Sequence, residues 1–195
     1  TRTIYFYDNI FYDWVNGAVT GHKGLDAENG WTLNVYNNTF HNCYKGIDIQ
    51  SASAVMENCL FRSCTTAAIG TYSAGTDYNA TDLASMNYTV TGAGNTHDRL
   101  SQTFTFVNEA GDDFHLASTD AGAKGFGVTD PGSGLFSDDV DGVYRSGLWD
   151  IGADQFFLAG VAARIGPHPG RSPGRGMAAT GRFMASSQYP KPAPV

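Results

Sequence analysis

The chain has 195 residues, enough for one domain of ordinary size with an extension. Only 16% of the residues are charged and 24 are glycine, which favours short strands joined by turns over long helices. No window approaches the ~20 apolar residues that a membrane helix needs, which excludes a membrane-spanning helix. The three cysteines, Cys43, Cys59 and Cys64, lack the paired spacing of a zinc site.

Charge is divided unevenly along the chain. All 19 acidic residues precede residue 161, together with 7 of the 12 lysines and arginines, a net charge of −12. The last 35 residues carry the other 5 basic residues and no acid. Body and tail are therefore of opposite charge, and electrostatic attraction between them is expected.

A repeated pattern runs through the first third of the chain. In each copy, alternating strand residues lead to an Asp or Asn, a Phe follows three positions later, and a Trp or Cys follows three positions after that. The matched segments are Ile4 to Trp14, Leu33 to Cys43 and Val55 to Cys64. A small residue then opens a second short apolar strand, at Gly17, Gly46 and Ala67 respectively.

The aromatic position of the repeat predicts how the copies are arranged. A single copy cannot bury its apolar face alone, so successive copies must stack. Parallel stacking at about 4.8 Å per layer places equivalent residues above one another. Phe11, Phe40 and Phe61 are therefore expected to form an internal aromatic stack.

The corner and cysteine positions form two further predicted rows. Asp8, Asn37 and Asn58 should make an outer polar ladder, because asparagine tolerates left-handed backbone and forms local hydrogen bonds. Cys43 and Cys64 should lie in adjacent layers with their Cβ atoms pointing the same way. That geometry favours two buried thiols over a disulfide.

The repeat strand–Asn–x–x–Phe–x–x–Cys–x–x–Gly-Ile resembles the coil of right-handed parallel β-helix proteins, the pectate-lyase-like superfamily. The resemblance covers residues 3 to about 71 in three coils. It implies an all-β fold, a right-handed parallel β-helix that forms a single-stranded solenoid with a C-terminal cap and an extended tail. An antiparallel sandwich is the competing interpretation, because it also gives short alternating strands at regular spacing.

Four segments are expected along the chain. Residues 1–71 hold the coils, 72–102 form a loop excursion with one strand around Asn87 to Thr91, 103–156 form the final coil and cap, and 157–195 form a basic tail rich in Pro and Gly. The cap segment resembles the ending of β-helix proteins from bacteria and their viruses, and its apolar side chains should cover the open end of the solenoid. The candidates for that cover are Phe114, Leu116, Leu148, Trp149 and Ile151.

The tail has a composition that cannot form a core, since six of the seven prolines fall in it. We expect other protein chains of the same assembly to hold it through residues 161–195. The basic side chains available for that contact are Arg164, Arg171, Arg175, Arg182 and Lys191. Nucleic acid is disfavoured as the partner, because aromatic platforms are not regularly interleaved with these charges.

Candidate metal chemistry is confined to one turn. Asp138, Asp139 and Asp141 precede Gly142 and resemble the start of a calcium loop. The bidentate Glu of such a loop is missing, and Asp-Gly is common in turns, so a structural turn is favoured over calcium binding. No other cofactor is expected.

Candidate catalytic residues are scattered. The related lyases hold calcium with clustered Asp on one outer face of the coils, but here the coil strands expose only Lys45, Asp48, Glu57 and Arg62, with no recurring carboxylate trio. The spacing also selects no glycosidase pair among Asp26, Glu28, Asp48 and Glu57. Polar residues of the excursion are interpreted as solvated loop residues; these are Asp77, Asp82, His97 and Asp98.

These patterns predict a non-enzymatic structural or surface-presenting β-helix module of a larger assembly, located in a virion or outside the cell. A phage virion protein of the decoration, fibre or spike kind is favoured because of the β-helix ending. The alternatives are a polysaccharide lyase or glycoside hydrolase, with its groove along the coils, and a bacterial surface protein that binds glycans. The exposed aromatics for glycan binding would be Tyr5, Tyr7, Tyr12 and Tyr36.

Overall fold

The computed structural model describes residues 2–15, 21–28, 30–50, 53–158 and 184–186. The first part of the chain winds into a parallel β-solenoid, in which each turn contributes one short strand to each of three sheets. Within the described ranges the only helical element is a 3-10 turn at Glu109–Gly111, and no helix there is long and apolar enough to span a membrane.

The strands are short, as expected for a chain rich in turn residues. They are β1 (Arg2–Tyr7), β2 (Ile10–Tyr12), β3 (Lys23–Ala27), β4 (Trp31–Tyr36), β5 (Thr39–His41), β6 (Lys45–Ile49), β7 (Ser53–Glu57), β8 (Leu60–Arg62), β9 (Thr66–Ser73), β10 (Ala80–Thr81), β11 (Tyr88–Thr91), β12 (Phe106–Asn108), β13 (Asp113–Leu116) and β14 (Met184–Ser186).

The pairing of these strands confirms the predicted fold class. The first sheet has the order β1-β4-β7, the second β10-β8-β5-β2-β14 and the third β11-β9-β6-β3, and every pair within them is parallel. We call the successive turns coil 1 (β1–β3), coil 2 (β4–β6) and coil 3 (β7–β9). Strands β12 and β13 form a separate antiparallel hairpin, and the antiparallel sandwich is excluded for the coils.

The predicted aromatic stack lies at the centre of the solenoid. Phe11 pairs in register with Phe40, and Phe40 with Phe61. The ring centroids are 4.9 Å and 5.0 Å apart, with interplanar angles of 5° and 9°. Phe40 and Phe61 are fully buried. Stacked rings of this kind add to the stabilisation gained from burial alone.

The register corrects one position of the repeat. Strand β3, which begins at Lys23, is the partner of β6, so the coil 1 equivalent of Gly46 is Gly24 and not Gly17. The second strand predicted at 18–20 lies outside the described residues. Gly24 and Gly46 leave room for the rings of the stack, because a Cβ at Gly46 would lie 2.6 Å from a ring carbon of Phe61.

The corner ladder forms as predicted, but it is buried. Asp8, Asn37 and Asn58 have φ values of 53°, 48° and 56°, in the left-handed region, and Asn58 Nδ2 donates to Asn37 Oδ1 at 3.1 Å. Asn37 and Asn58 are fully buried, because the C-terminal segment lies over them. Asn37 Nδ2 donates to the carbonyl of Asp150 at 3.0 Å, and Asn58 Nδ2 donates to that of Val128 at 2.8 Å.

All three cysteines are buried free thiols, as the stacking geometry predicted for Cys43 and Cys64. The Sγ atoms of Cys43 and Cys64 approach the carbonyl oxygens of Phe11 and Phe40 at 3.7 Å and 3.6 Å. Each thiol is therefore a weak hydrogen-bond donor to the layer before it, packed as a small apolar side chain.

Residues 72–102 continue the solenoid instead of leaving it. Strand β10 pairs with β8, and β11 pairs with β9; β11 is the strand expected around Asn87 to Thr91. The turn is difficult to recognise in the sequence because β10 has only two residues and no Phe occupies the inward position. We call this turn coil 4.

The cap segment packs on the side of the solenoid and not over its end. Ile10, Leu60 and Ala80 point outward from the second sheet and form one apolar cluster with residues of the cap. The cap members of that cluster include Phe104, Phe106, Phe114, Leu116 and Ile151. Trp149 is also buried, against Tyr36 and Phe136, but Leu148 is 67% exposed. The prediction for Leu148 was therefore wrong, and the outward apolar strip explains where the cap binds.

Candidate functional site

Coil 1 presents the edges of three sheets. Strands β1 and β3 are terminal in their sheets, and within the described residues they have no partner on their outer side. Strand β2 is extended by β14 from the tail, in parallel, with Met184 opposite Ile10, Ala185 opposite Phe11 and Ser186 opposite Tyr12. Unpaired strand edges readily accept another strand. The first coil therefore accepts strands from the tail segment of this chain.

The interior of coil 1 is less well covered than that of the coils that follow it. Phe6 and Trp14 are only partly buried, whereas Phe40 and Phe61 are fully buried. A depression of about 340 Å³ opens beside Phe6 and Trp31 and is lined by apolar and acidic side chains; these include Ile4, Leu33, Asp26 and Glu28. We call the edges of β1, β2 and β3 together with this depression the coil 1 edge.

The coil 1 edge carries charges of both signs, because Arg2 on β1 is exposed as well as two acidic residues near β3. Asp26 and Glu28 are exposed there, and Asp26 is only partly compensated by Lys23, whose Nζ lies 2.9 Å from Asp26 Oδ2. Strand β14 lies in the sequence between Arg182 and Lys191, in a segment without acids. The predicted basic tail residues Arg164, Arg171, Arg175, Arg182 and Lys191 lie outside the described residues.

The predicted catalytic candidate Asp48 is neutralised by lysines. Asp26 and Asp48 are in register on adjacent coils, and the next position is Ile69, so the carboxylate row ends after two members. Lys45 and Lys23 lie 2.8 Å and 3.3 Å from Asp48 Oδ2. Burial would raise the pKa of Asp48, but hydrogen bonds from Lys45 and Lys23 hold that pKa below its ordinary value. Asp48 is thus an ion-pair partner.

Residues interpreted as solvated loop side chains are ordered in coil 4. Asp82 Oδ2 accepts a hydrogen bond from Arg62 at 2.8 Å, and Asp98 accepts one from the hydroxyl of Tyr88. Asp77 Oδ2 lies 2.7 Å from His97 Nδ1, and Asp77 forms a parallel bridge with Glu57. The structure therefore brings Glu57 and Asp77 together, a pair that the sequence spacing did not select.

Glu57 and Asp77 differ in acidity. Burial, and then the nearby charge of Asp77, raise the pKa of Glu57 to about 7. Burial acts in the same direction on Asp77, but hydrogen bonds from His97 and Tyr78 outweigh it and lower the pKa of Asp77. Glu57 therefore holds its proton more tightly in the folded protein than in the unfolded chain.

This difference predicts a pH-dependent stability. The contribution of Glu57 to the free energy of unfolding is favourable at low pH, because the folded state binds the proton more tightly. It is lost as pH rises from about 4.5 through about 7. We expect Glu57→Gln to be more stable than the wild type at pH 8, by on the order of 1 kcal/mol after solvent screening, and to show no such gain at pH 4.5. Denaturant unfolding at both pH values measures the difference.

Glu28→Gln removes the same charge from an exposed position of coil 1 and serves as the control. A Glu57→Gln variant that gains no stability at pH 8 relative to the wild type would contradict the raised pKa of Glu57.

Three of the four predicted glycan-binding tyrosines pack against the cap segment. Tyr7 stacks on Phe136 with the centroids 4.7 Å apart, and Tyr36, which is buried, lies 6.3 Å from the same ring. Tyr12 lies 5.3 Å from the ring of Phe114. Only Tyr5 is largely exposed, at 51%. The expected exposed aromatic row was therefore wrong, because the cap occupies that surface.

The three aspartates considered for calcium do not form one site. Asp139 Oδ1 accepts the backbone N–H groups of Asp141 and Val143 at 3.0 Å and 2.9 Å, as in a structural turn. Asp138 forms an antiparallel bridge with Tyr144. Asp141 points elsewhere, and its Oδ2 lies 2.8 Å from His115 Nε2. Neither His115 nor its second neighbour Asp154 was selected from the sequence.

Comparison with protein-family models, with curated proteins and with solved structures gave no match. The β-solenoid is therefore established by strand pairing in this chain alone. Its function has to be argued from the geometry and charge of the described residues.

Proposed function

We propose that this chain is a non-enzymatic structural module of a larger assembly, which joins neighbouring copies through its C-terminal tail. In this proposal the tail of one copy adds a strand to the coil 1 edge of the next. The resemblance of the ending to β-helix proteins of bacteria and their viruses favours a phage virion protein of the decoration, fibre or spike kind, in a virion or outside the cell.

The observation that carries the proposal is the pairing of β14 with β2. Three residues of the tail form a parallel strand on the edge of the second sheet, in register with Ile10, Phe11 and Tyr12. Backbone hydrogen bonds of this kind bind an extended segment without a preformed pocket. A strand that closes on its own chain can also close on an identical copy, because the two edges are the same.

Charge supports the same arrangement. The body before residue 161 has a net charge of −12, and residues 161–195 carry five basic side chains and no acid. Asp26 and Glu28 are exposed at the coil 1 edge. Opposite charge steers the encounter of tail and body and disfavours contact between two bodies.

Self-association tests this proposal. We expect the full chain to form concentration-dependent oligomers by light scattering coupled to size exclusion, and a chain ending at residue 158 to be monomeric. Ala185→Pro should weaken association by about tenfold or more, because proline cannot donate to a paired strand and is excluded from it.

Ala178→Pro places the same substitution in the same tail but outside β14, and should leave association unchanged. A full chain that stays monomeric at all concentrations, or an Ala185→Pro variant that associates like the wild type, would overturn the proposal.

The enzyme alternative has lost most of its sequence support. Asp48 is paired with two lysines, and the tyrosines expected to bind sugar pack against the cap. Glu57 and Asp77 are one carboxylate pair that the described residues offer a lyase or hydrolase, and no observation on their surface favours a particular substrate. We therefore propose the structural role alone.

A further inference from the structure

Three potential metal ligands lie close together within the cap segment, beside β13. His115, Asp141 and Asp154 each offer one ligand atom, and these atoms all lie within 4.8 Å of one another. His115 Nε2 and Asp141 Oδ2 are 2.8 Å apart. Ligand atoms about 2 Å from a bound ion lie roughly 3 Å from one another, so small side-chain rotations suffice to enclose an ion.

A fourth side chain orients the histidine. Asp113, two residues before His115 on β13, places its Oδ1 against His115 Nδ1. Histidine ligands of metals almost always donate their second ring nitrogen to a carboxylate or carbonyl group, which fixes the tautomer and leaves the other nitrogen for the metal. This contact therefore presents Nε2 toward Asp141 and Asp154.

Asp154 is largely buried, and the backbone holds its carboxylate in place. The residue is 7% exposed, and its Oδ2 accepts the backbone N–H of Leu116 at 2.7 Å. Carboxylates that bind metals are themselves usually hydrogen-bonded, so this backbone contact suits a ligand role for Asp154.

The balance of charge also favours a cation. Asp113, Asp141 and Asp154 gather around a single imidazole. Even a protonated His115 would leave two negative charges in excess. A divalent ion reduces this excess while His115 stays neutral, which is the form that coordinates metal.

We propose that His115, Asp141 and Asp154 bind a divalent transition-metal ion of the zinc class, with Asp113 as the outer carboxylate that positions His115. An imidazole nitrogen suits Zn²⁺ and similar ions better than Ca²⁺, which prefers oxygen ligands alone. The ion joins β13 to the turn at Asp141 and to the segment at Asp154, so it links three parts of the cap to one another. This site differs from the calcium turn considered for Asp138, Asp139 and Asp141, with which it shares only Asp141.

Calorimetric titration of the chelator-treated full chain with Zn²⁺ tests the site. We expect saturable binding of one ion per chain, accompanied by a rise in the thermal midpoint, since an ion that binds only the folded state stabilises it. His115→Gln and Asp141→Asn should each weaken binding by at least about tenfold, and Asp113→Asn by about 10- to 100-fold. Co²⁺ should give a visible absorption spectrum that is lost in the His115→Gln variant.

The controls separate this site from other residues that bind metal. His97→Gln removes a histidine that also contacts a carboxylate, that of Asp77, and should bind Zn²⁺ like the wild type. The side chains of His115 and Asp141 are 42% and 54% exposed, so both variants should fold, and unfolding curves in chelator verify this.

Two results would overturn the site: no saturable binding by the wild type, or equal binding by the wild type and the Asp141→Asn variant. Ca²⁺ binding as tight as that of Zn²⁺ would overturn the assignment to the zinc class.

Discussion

Replacing Arg145 with methionine should lower the free energy of unfolding by about 3–5 kcal/mol, the range typical of breaking a buried ion pair. Arg145 is 1% exposed. Its Nη2 donates to Asp8 Oδ1 and to the carbonyl of Ala153, both at 2.7 Å. It therefore ties the corner of coil 1 to the cap, across 137 residues of sequence.

The loss of Arg145 leaves more than one buried group without a partner. Its guanidinium also donates to the carbonyls of Asp138 and Gly152, each at 3.3 Å. Burial raises the pKa of Asp8, and Arg145 opposes that rise. The pKa of Asp8 is already about 8 in the wild type and should rise further in the variant, so the loss of stability should grow as pH rises above about 8.

Denaturant unfolding followed by tryptophan fluorescence measures this loss. Arg62→Met is the matched control, because Arg62 pairs with Asp82 and Glu109 at the surface, with 31% of its side chain exposed. We expect the control to cost less than about 1 kcal/mol. Combining Arg145→Met with Asp8→Asn should recover part of the loss, since the buried carboxyl group that lost its partner is then absent. Equal losses for the two arginines would show that the buried pair is not a principal attachment of the cap.

Replacing Phe40 with alanine should cost about 3–5 kcal/mol, as for other large aromatic truncations in a core. Phe40 is fully buried and has a stacked ring on each side, Phe11 at 4.9 Å and Phe61 at 5.0 Å. Its removal opens a cavity in the middle of the stack, and neither neighbour can fill it because strand pairing holds the layers at fixed spacing.

Unfolding midpoints of Phe40→Ala, Phe40→Leu and Leu148→Ala test this expectation. The leucine variant keeps most of the buried volume and should lose clearly less stability than the alanine variant. Leu148 is 67% exposed, so its truncation should change stability by no more than about 0.5 kcal/mol. A loss of less than about 1 kcal/mol for Phe40→Ala would mean that the stack contributes little to the solenoid.

The repeat made the interior predictable. Phe11, Phe40 and Phe61 recur at one offset, and parallel pairing converts equal offsets into direct contact. The same reasoning placed the two cysteines and the left-handed corner residues. It placed Gly17 wrongly, because coil 1 contains additional residues before β3 that shift the second strand.

The outer surface was not predictable in the same way. Asn37 was expected in an outer ladder, but the cap buries it through a contact 113 residues away. Tyr7, Tyr12 and Tyr36 were expected to be exposed, but the cap packs against them as well. Docking of an irregular segment from far along the chain leaves no periodic pattern in the sequence. The sequence therefore did not indicate that the cap buries polar and aromatic residues on the outside of the coils.

The proposed metal site shows the same division between local and long-range information. Asp141 was selected from a local Asp-rich turn, together with Asp138 and Asp139. His115 and Asp154 lie 26 residues before it and 13 after it, and only the folding of the cap brings the three together. A motif search depends on spacing along the chain, whereas these ligands converge in space alone.

The sequence by itself determined the solenoid and its core, because a stacked coil repeats the same local contacts in every layer. The opposite charges of body and tail are likewise fixed by composition. Only the tertiary structure decided which outer residues stay exposed, where the cap binds, and which carboxylates meet His115 or Arg145. Those outcomes depend on single contacts between distant segments, whose energies come from burial and desolvation and not from any repeated local preference.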